Sequence, residues 1–417
     1  MKLLYLNPDR GIPVLGDKGA SVHVREFVTA LAHQGHEVAL ICASLGEGNS
    51  PPPVRLIEIP PDPDEFLLER ECMARFLPVT ALEDRVLRRE LGRLSYDRGF
   101  CRRVRAALDG IDFRPDAIYE RYALFHCAGA ALAQMLAVPR LLEVNAPLIR
   151  EQEQFRGLVL KSVAAASECA SFHGANSIIA VSEEVAAYVA SCGIPREGIL
   201  TIPNGVDTTH FHPDAGGEAV RRKLGLGADP VVGFIGSFKP WHGVDFLIDA
   251  FATMARQHRG VRLLCVGEGP ELEAAKEGIA AQGLEDRAVF SGRIPHAEIP
   301  SYLAAMDISV APYLTRSDFY FSPLKVVESL AAGTPVIAPR IGQLELLVDH
   351  GKTGLLFTPG DAADFIAKTL DLVRDPARRR TMSAAARAHA LSDFSWQRAA
   401  GRVIDEAQRH IDTMCAA

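Results

Sequence analysis

The segment that decides the fold is Gly233–Val244, with the sequence GFIGSFKPWHGV. An apolar run ends in a glycine-rich loop, and the loop opens a predicted helix. Lys239 and His242 place cationic groups beside the start of that helix, where main-chain amides favour an anion. This order of strand, loop and helix predicts one half of a doubly wound α/β domain that holds a diphosphate. The alternative is that Trp241 is a packing residue and Lys239 a solvated charge.

Short apolar runs alternate with helical patterns on both sides of this segment. Such runs are typical of strands that are buried on both faces of a parallel sheet. The pattern also predicts a helix over Ser21–Gln34, with Ser21 as its N-cap and Gly35 as its terminator. We predict strands at residues 2–7, 37–43, 117–122, 141–145, 177–181, 200–203, 231–236, 262–267, 288–291, 308–311, 335–338 and 355–357.

The chain is long enough for two domains, because its 417 residues exceed one usual hydrophobic core. A proline- and glycine-containing linker, 203–213, separates two series of strands. We therefore predict an α/β protein with two Rossmann-like, doubly wound domains that face each other across a cleft. The predicted domains are a first Rossmann-like domain over 1–205 and a second over 206–394.

Composition excludes several classes of protein. The net charge of -7 argues against general nucleic-acid binding, which needs a basic surface. None of the eight cysteines forms a Cys-x-x-Cys pair, so neither a zinc site nor a redox pair is predicted. The opening residues, 1–8, are too short for a signal-peptide core, and no apolar run is long enough to span a membrane. We expect a cytoplasmic protein, with peripheral contact at the inner membrane face as an alternative.

Two further glycine-rich loops follow predicted strands. In the first, Gly16 and Gly19 let a ligand approach the backbone at a helix start, although an ordinary flexible loop is equally consistent. The second, Val266–Pro270, contains Gly267 and Gly269 but lacks the third glycine of a dinucleotide fingerprint. A dinucleotide enzyme is therefore not favoured.

The segment 317–336 has the sequence SDFYFSPLKVVESLAAGTPV and is the richest in chemistry. Ser322 is predicted as an N-cap and Pro323 as the first helical residue. The free amides near Leu324 would then face an anion, and Lys325 adds a full charge. Glu328 lies one turn further along nearly the same face, where a carboxylate accepts hydrogen bonds from ribose hydroxyls. The alternative is a solvated glutamate and a surface lysine.

One stretch of the first half departs from the strand–helix rhythm. Residues 51–63 are proline-rich, and residues 83–108 are helical and arginine-rich. A surface for anionic lipid or an acidic acceptor is one interpretation, and a solvated helix face is the favoured alternative. The sequence Asp62-Pro63-Asp64 fits turn chemistry better than a metal-ligand pair.

Taken together, the motifs resemble glycosyltransferase family 4, whose members have the two-domain GT-B fold. The resemblance rests on residues 16–26, 143–147, 202–207, 236–244, 267–270 and 328–335, and on the helix after Phe394-Ser395-Trp396. It implies sugar transfer from a nucleotide diphosphate sugar, with retention and without a metal. It also implies that the domain over 1–205 is the acceptor side, that the domain over 206–394 binds the nucleotide sugar, and that the last helix, 395–417, crosses back onto the first domain.

The resemblance extends to individual residues. The catalytic candidates are Lys239, Lys325 and His126, of which His126 is implied to contact the donor sugar, with a core or helix-surface histidine as the alternative. Contacts to the base are implied for the main chain near Arg293 and Ile294. The remaining donor-binding candidates are Gly16, Gly19, Ser237, His242, Gly243, Gly269, Ser322, Pro323, Leu324 and Glu328.

This sequence also departs from the family pattern. Ser237 and His242 stand where the family commonly has arginine and lysine. Tyr320 stands where the family often has the first of two glutamates, whose second member Glu328 matches. We therefore keep two alternatives to transfer: a sugar-nucleotide epimerase or hydrolase on the same fold, and a catalytically weakened nucleotide-sugar-binding protein. The expected partners are a nucleotide-sugar donor and a hydroxyl acceptor that is lipid-linked, a saccharide or a small molecule. No cofactor and no nucleic acid are expected.

Overall fold

The chain forms two compact units, each around its own parallel sheet. The structure, a computed structural model, describes residues 1–48, 50–76, 78–314, 319–320 and 322–416. The first unit comprises Met1–Pro203, Tyr320–Ser322 and Ala399–Ala417. The second comprises Asn204–Phe319 and Pro323–Arg398. The functional domains expected over 1–205, 206–394 and 395–417 stay predictions.

The sheet of the first unit has seven parallel strands in the order β3-β2-β1-β4-β5-β6-β7. Its central strands are apolar and buried on both faces, as the continuous apolar runs predicted. The strand order reverses between β1 and β4, which places a ligand crevice beyond their carboxyl ends. The strands are β1 (Lys2–Asn7), β2 (Glu37–Cys42), β3 (Arg55–Glu58), β4 (Ala117–Arg121), β5 (Arg140–Val144), β6 (Ser177–Ala180) and β7 (Ile199–Thr201).

Helices connect these strands. The last helix is α17 (Trp396–Ala416), and its Glu406 accepts a hydrogen bond from Ser177 in β6. The other helices of this unit are α1 (Gly19–His33), α2 (Pro63–Ala74), α3 (Val79–Leu82), α4 (Arg85–Gly110), α5 (Ala128–Leu136), α6 (Leu148–Phe155), α7 (Lys161–His173) and α8 (Glu183–Ser191), with a 3₁₀ turn at Arg196–Gly198.

One local prediction for the first unit was wrong, and one strand was missed. Ser21 is not an N-cap, because its amide already bonds back to the Lys18 carbonyl oxygen (2.8 Å) and α1 begins at Gly19. The proline-rich stretch contains the unpredicted edge strand β3, which pairs with β2. Asp62 agrees with the predicted turn chemistry: its Oδ1 accepts from the Asp64 amide at 2.9 Å, and the same residue is the N-cap of α2. Gly35 follows α1 with a φ of 83°, as expected for a terminator.

The arginine-rich stretch forms most of α4, which Asp84 caps. Many of its arginines bond within the same unit: Arg102 lies 2.9 Å from Glu65, Arg103 also pairs with Glu65, and Arg98 lies 2.5 Å from Glu69. These pairings neutralise part of the positive charge and support the solvated-face interpretation. Within the described residues, no helix is long and apolar enough to cross a membrane.

The second unit has a six-stranded parallel sheet in the order β10-β9-β8-β11-β12-β13. Its order reverses between β8 and β11, so a second crevice is expected beyond those two strands. The strands are β8 (Val231–Ile235), β9 (Arg262–Val266), β10 (Ala288–Phe290), β11 (Ile308–Val310), β12 (Val336–Pro339) and β13 (Gly354–Phe357).

The helices of the second unit cover its sheet, and α10, α11 and α15 contribute to the main core cluster. They are α9 (Gly217–Lys223), α10 (Val244–Gln257), α11 (Leu272–Ala281), α12 (Ile299–Ala304), α13 (Leu324–Ala331), α14 (Leu344–Leu347), α15 (Ala362–Arg374) and α16 (Pro376–Asp393). Short 3₁₀ turns occur at Pro240–His242 and His296–Glu298.

The start of α13 lies one residue later than predicted. Pro323, not Ser322, is the N-cap, because the chain is still extended at Pro323, with a ψ of 106°. Helical conformation begins at Leu324, and no side chain caps the first turn. The prediction that Ser322 caps this helix was therefore wrong. Ser317, Asp318 and Phe321 of the same segment lie outside the described residues.

Candidate functional site

The most unusual group of the second unit is the ammonium of Lys325, in the first turn of α13. Its Nζ atom lies 4.6 Å from the ring centroids of both Phe234 and Tyr313. The side-chain stem is partly exposed, but Nζ is buried and has no hydrogen-bond partner among the described residues. Burial lowers the pKa of Lys325 to about 7, an effect that Glu328 partly offsets. A buried cation without a hydrogen-bonding anion is a poor stability element and a good anion site.

The glycine loop lies directly against this ammonium. A Cβ atom on Gly236, which has a φ of 150°, would be 3.1 Å from Lys325 Nζ. Phe234 is in β8, and Tyr313 follows β11, so the site lies at the point where the strand order reverses. The structure therefore brings together Lys325, Gly236 and the crevice that the topology predicts.

The neighbouring glycines serve close backbone packing. A Cβ atom on Gly267 would lie 2.0 Å from the Gly236 carbonyl oxygen, and one on Gly269 would lie 2.6 Å from the Phe238 backbone. A Cβ atom on Gly243 would lie 1.9 Å from the Pro312 carbonyl oxygen. These contacts press the loops after β8, β9 and β11 together, so Gly243 and Gly269 shape the site through packing.

His242 is part of the site but does not carry the positive charge that we predicted. Burial, followed by the Lys325 ammonium, lowers the pKa of His242 to about 3. Its Nδ1 bonds to the carbonyl oxygen of Ser237, and its ring lies 5.6 Å from Tyr313. The imidazole is therefore neutral at pH 7, with Nδ1 as the donor. The correction follows from burial, which a sequence pattern does not reveal.

Lys239 has a different environment from Lys325. Its side chain is exposed, and its Nζ lies 5.1 Å from the centroid of the Trp241 ring. The exposure of Lys239 agrees with the alternative interpretation of a solvated charge, and its role in holding a diphosphate stays a prediction. The structure gives no direct contact between the Lys239 and Lys325 ammonium groups.

Glu328 lies on α13 one turn after Lys325 and is 8% exposed. Its Oε1 lies 2.9 Å from Nε2 of His296, which follows β10. Ile294 is half-buried and Arg293 is exposed, and an Arg293 Nη1 lies 3.7 Å from Glu268 Oε1. The loop after β10 therefore reaches Glu328 through His296, a contact that we did not predict.

Tyr320 and Ser322 belong to the first unit. Tyr320 is buried, its hydroxyl donates to Glu151, and its carbonyl oxygen accepts from Ser182 Oγ at 3.1 Å. Its ring packs in a core cluster with Tyr122 and Val181. Tyr320 therefore has a packing role in this unit.

The Gly16 loop lies at the crevice of the first unit. The Gly16 amide donates to the Pro13 carbonyl oxygen at 3.0 Å, and Arg25 donates to the Val14 and Gly16 carbonyl oxygens at 2.6 Å. Gly19 begins α1, and no side chain caps that helix start. Arg25 of α1 therefore holds the loop in place. The main-chain amides at the start of α1 have no side-chain cap.

A buried charge cluster lies beneath this crevice. Glu143, at the end of β5, lies 2.6 Å from Nε2 of His23 in α1 and 3.1 Å from Nη1 of Arg121 at the end of β4. His23 and Arg121 lower the pKa of Glu143 to about 2, against the opposing effect of burial. The carboxylate is therefore ionised and fixed. Arg121 was missed by the sequence analysis, although its position at a strand end was the available signal.

His126 lies in the core of the first unit. It is 3% exposed, its Nδ1 lies 2.9 Å from Asp97 Oδ1, and its Nε2 lies 3.5 Å from Glu120 Oε1. Its ring meets Phe100 edge-on, with centroids 4.5 Å apart. This environment favours the core-histidine alternative over a sugar contact.

The sequence analysis also missed Phe234, Tyr313 and His296. Phe234 and Tyr313 gave no signal in the sequence, because they contribute to the site only through the position of Lys325 between their rings. Among the described residues, no group of three or more His, Cys, Asp or Glu side chains is arranged to hold a metal ion.

Comparison with known proteins identifies the class. Residues 18–210 match the family described as glycosyltransferase family 4, and residues 229–375 match that described as glycosyl transferases group 1. The chain also shares its fold with the Anabaena protein HepE, solved in complex with UDP (TM-score 0.69, 20% identity, 98% of this chain and 100% of that one). The two parallel sheets and their helices thus define a GT-B protein. The chain belongs to glycosyltransferase family 4, among the group 1 glycosyltransferases.

Two named relatives are similar over different lengths. A GDP-mannose-dependent alpha-(1-6)-phosphatidylinositol monomannoside mannosyltransferase of Mycolicibacterium smegmatis is 32% identical over 235 residues, which are 55% of this chain and 62% of that protein. The chain therefore matches less than two thirds of this relative's length. Glycogen synthase of Mycobacterium tuberculosis is 27% identical over 407 residues, which are 95% of this chain and 92% of that protein.

Proposed function

We propose that the chain transfers a sugar from a nucleotide diphosphate donor to a hydroxyl-bearing acceptor. The observation that carries the proposal is the Lys325 ammonium, which is buried beneath Gly236 and has no hydrogen-bond partner among the described residues. A buried cation at a helix start and a strand-order reversal is suited to the diphosphate of a donor. The family supports the same reaction class.

In this proposal Lys325 stabilises the departing nucleoside diphosphate. Negative charge grows on the phosphate oxygens as the bond from the sugar breaks, and a fixed cation at that point lowers the barrier. The uncapped amides at the start of α13 add partial positive charge. Lys239, which is exposed, contributes long-range charge at most, and His242 contributes a neutral hydrogen-bonding ring.

Glu328 is proposed to accept hydrogen bonds from the ribose hydroxyls. It lies on the same helix as Lys325, one turn further from the helix start, so the diphosphate and the ribose would follow the helix in that order. The main chain near Arg293 and Ile294 is proposed to meet the base, because that loop reaches Glu328 through His296.

Retention of configuration and independence of metal are also proposals. Both are implied by the family, and the Lys325 ammonium with the α13 amides gives a physical route to charge stabilisation without a metal. The proposed donor is a nucleotide diphosphate sugar, and the chain is proposed to need no further cofactor.

The acceptor is proposed to bind in the first unit, near the braced Gly16 loop and the Glu143 cluster. The names of the relatives include a phosphatidylinositol glycoside and glycogen synthesis, so lipid-linked and saccharide acceptors are both represented. We also propose that exposed arginines of α4, such as Arg88, make a peripheral contact with anionic lipid.

A second candidate is a weakened enzyme that binds nucleotide sugars. Tyr320 takes the place of a family glutamate and hydrogen-bonds to Glu151, and His242 is neutral where the family has a cation. Donor binding with only trace turnover would favour this candidate.

The test begins with the unaltered chain. Thermal shifts with UDP-, GDP-, ADP- and dTDP-sugars should single out the donor, since specific binding stabilises a protein by RT ln(1 + [L]/Kd). Kinetics with the selected donor then compare Lys325→Ala with Glu328→Ala. We expect kcat to fall most in Lys325→Ala, because its charge matters most in the transition state, and donor KM to rise most in Glu328→Ala.

Lys276→Ala is the matched control, since Lys276 is an exposed lysine of the same unit that pairs with Glu273. Its kinetics should match those of the unaltered chain. Near-normal kinetics in both Lys325→Ala and Glu328→Ala would mean that the nucleotide binds elsewhere.

A further inference from the structure

The contact between His296 and Glu328 joins two loops of the second unit at the proposed ribose position. His296 Nε2 lies 2.9 Å from Glu328 Oε1, and among the described residues no other side chain hydrogen-bonds to this carboxylate. The Glu328 side chain is 10% exposed and the His296 side chain 30% exposed. A buried carboxylate is thus held at one oxygen by a partly solvated imidazole.

We propose that His296 is a positioning residue for the donor ribose: it holds Oε1 of Glu328 so that Oε2 accepts from the ribose hydroxyls. The inference rests on the proposed function, because it assigns a role within the donor site. It adds a residue from the loop after β10 to the part of the donor site that α13 forms.

The hydrogen bond defines how His296 acts. A carboxylate oxygen only accepts, so Nε2 of His296 carries the hydrogen, in either charge state of the ring. Without this donor, the glutamate side chain would sample several rotamers and lose that freedom when the nucleotide binds. The hydrogen bond from His296 fixes the Glu328 side chain before the nucleotide binds, so less rotamer entropy is lost on binding. Other groups that orient a ligand-binding side chain act in the same way.

The surroundings of His296 argue against a role in core packing alone. The ring lies 5.5 Å from Phe211 on one side and is open to solvent over almost a third of its surface. Among the described residues, the charged and titratable groups near the pair include His210, which Asp207 and His212 also influence, and Lys325, one turn before Glu328 on α13. Substitution of a partly exposed ring should leave the sheet and its core intact.

The experiment compares two substitutions. His296→Leu introduces an apolar side chain of similar reach and removes the donor, whereas His296→Gln retains an N–H donor. We expect His296→Leu to raise donor KM about five- to tenfold with kcat within about twofold, because a hydrogen bond to a charged acceptor is lost. His296→Gln should restore most of the loss.

A double-mutant cycle separates positioning from a general structural effect. In the Glu328→Ala background, His296→Leu should change donor KM by less than about twofold, because its target is gone. Calorimetric titration with the nucleoside diphosphate that binds best, and with its 2′,3′-dideoxy form, gives a second readout. His296→Leu should weaken the ribose form and leave the dideoxy form unchanged.

The matched control is His258→Leu, at a partly exposed histidine that follows α10. It should change neither binding nor stability, and circular dichroism with thermal melting confirms that each variant is folded. Equal losses for His296→Leu with and without Glu328, or a loss for the dideoxy nucleotide, would overturn the positioning role. Absence of nucleoside diphosphate binding by the unaltered chain would instead contradict the proposed function itself.

Discussion

The Nζ atom of Lys325 lies 3.1 Å from the position that a Cβ atom on Gly236 would occupy. This distance ties the glycine loop after β8 to the cation at the start of α13. The same ammonium lies between two aromatic rings, which shield it from water. The loop must therefore stay free of a side chain if the ammonium is to meet a ligand.

Gly236→Ala should weaken donor binding by at least about tenfold, because the new methyl group crowds Lys325 and the backbone strain costs on the order of 1–3 kcal/mol. Calorimetric titration with the donor measures the change. Gly283→Ala is the control, since Gly283 also has a positive φ of 63° but has no atom within 4 Å of its Cβ position. It should lower stability without changing donor affinity, and equal affinity in both variants would contradict this view of the loop.

Donor binding should take up protons above pH 7. The pKa of Lys325 is about 7 in the free protein, and a bound diphosphate raises it. Affinity for the nucleotide sugar should thus fall by about tenfold per pH unit as pH rises above this value. Calorimetry in two buffers with different ionisation enthalpies measures the proton uptake. Lys325→Met should abolish it, and an uptake that persists in this variant must come from another group.

Lys325→Met should stabilise the free protein at neutral pH. The folded-state pKa of about 7 lies below the ordinary value of 10.5, so the unfolded chain binds more protons between these values and stability rises with pH there. Removing the buried ammonium should increase the free energy of unfolding at about pH 7 by on the order of 1–4 kcal/mol.

Thermal melting across the pH range tests this prediction. The advantage of Lys325→Met should narrow as pH rises from about 7 and disappear above 10.5, where the unaltered lysine is neutral in both states. Lys276→Met, at an exposed position, should leave the melting temperature unchanged. A lower melting temperature for Lys325→Met at pH 7 would show that the aromatic contacts outweigh the cost of burial.

Activity should survive EDTA, because the proposed charge stabilisation comes from Lys325 and the α13 amides. The measurement is the initial rate with the selected donor before and after chelation and dialysis. Complete loss of activity, restored by Mg²⁺ or Mn²⁺, would replace this mechanism with one that requires a metal.

The unaltered chain is expected to bind anionic vesicles at low salt if the exposed arginines of α4 meet a membrane. Replacing the exposed Arg85 and Arg88 with glutamine should then reduce sedimentation with the vesicles, and salt should weaken the remainder, since charges are screened beyond about 8 Å at physiological ionic strength. Replacing Arg102 and Arg103 should lower stability more than binding, because both pair with Glu65. No vesicle binding by the unaltered chain would leave the arginines as a solvated helix face.

The sequence alone determined the fold class and the position of nearly every strand. Continuous apolar runs such as those in β1 and β8 have few alternatives to a parallel sheet, because both of their faces must be buried. Lys325 and Glu328 could be proposed from the sequence for a similar reason: helix geometry fixes their spacing whatever surrounds them. The edge strand β3 escaped prediction because prolines surround a short, half-exposed run.

Only the tertiary structure decided the state of each candidate group. The charge of His242 depends on burial and on the distance to Lys325, and the aromatic cage of Lys325 joins residues almost a hundred positions apart in the chain. His126 and His23 look alike as sequence features, but their environments are set by carboxylates from other strands and helices. The sequence determines local conformation, because propensity and periodicity act between near neighbours. Desolvation and charge pairing act through space, so the protonation state and partner of each candidate residue were fixed only when distant segments came together.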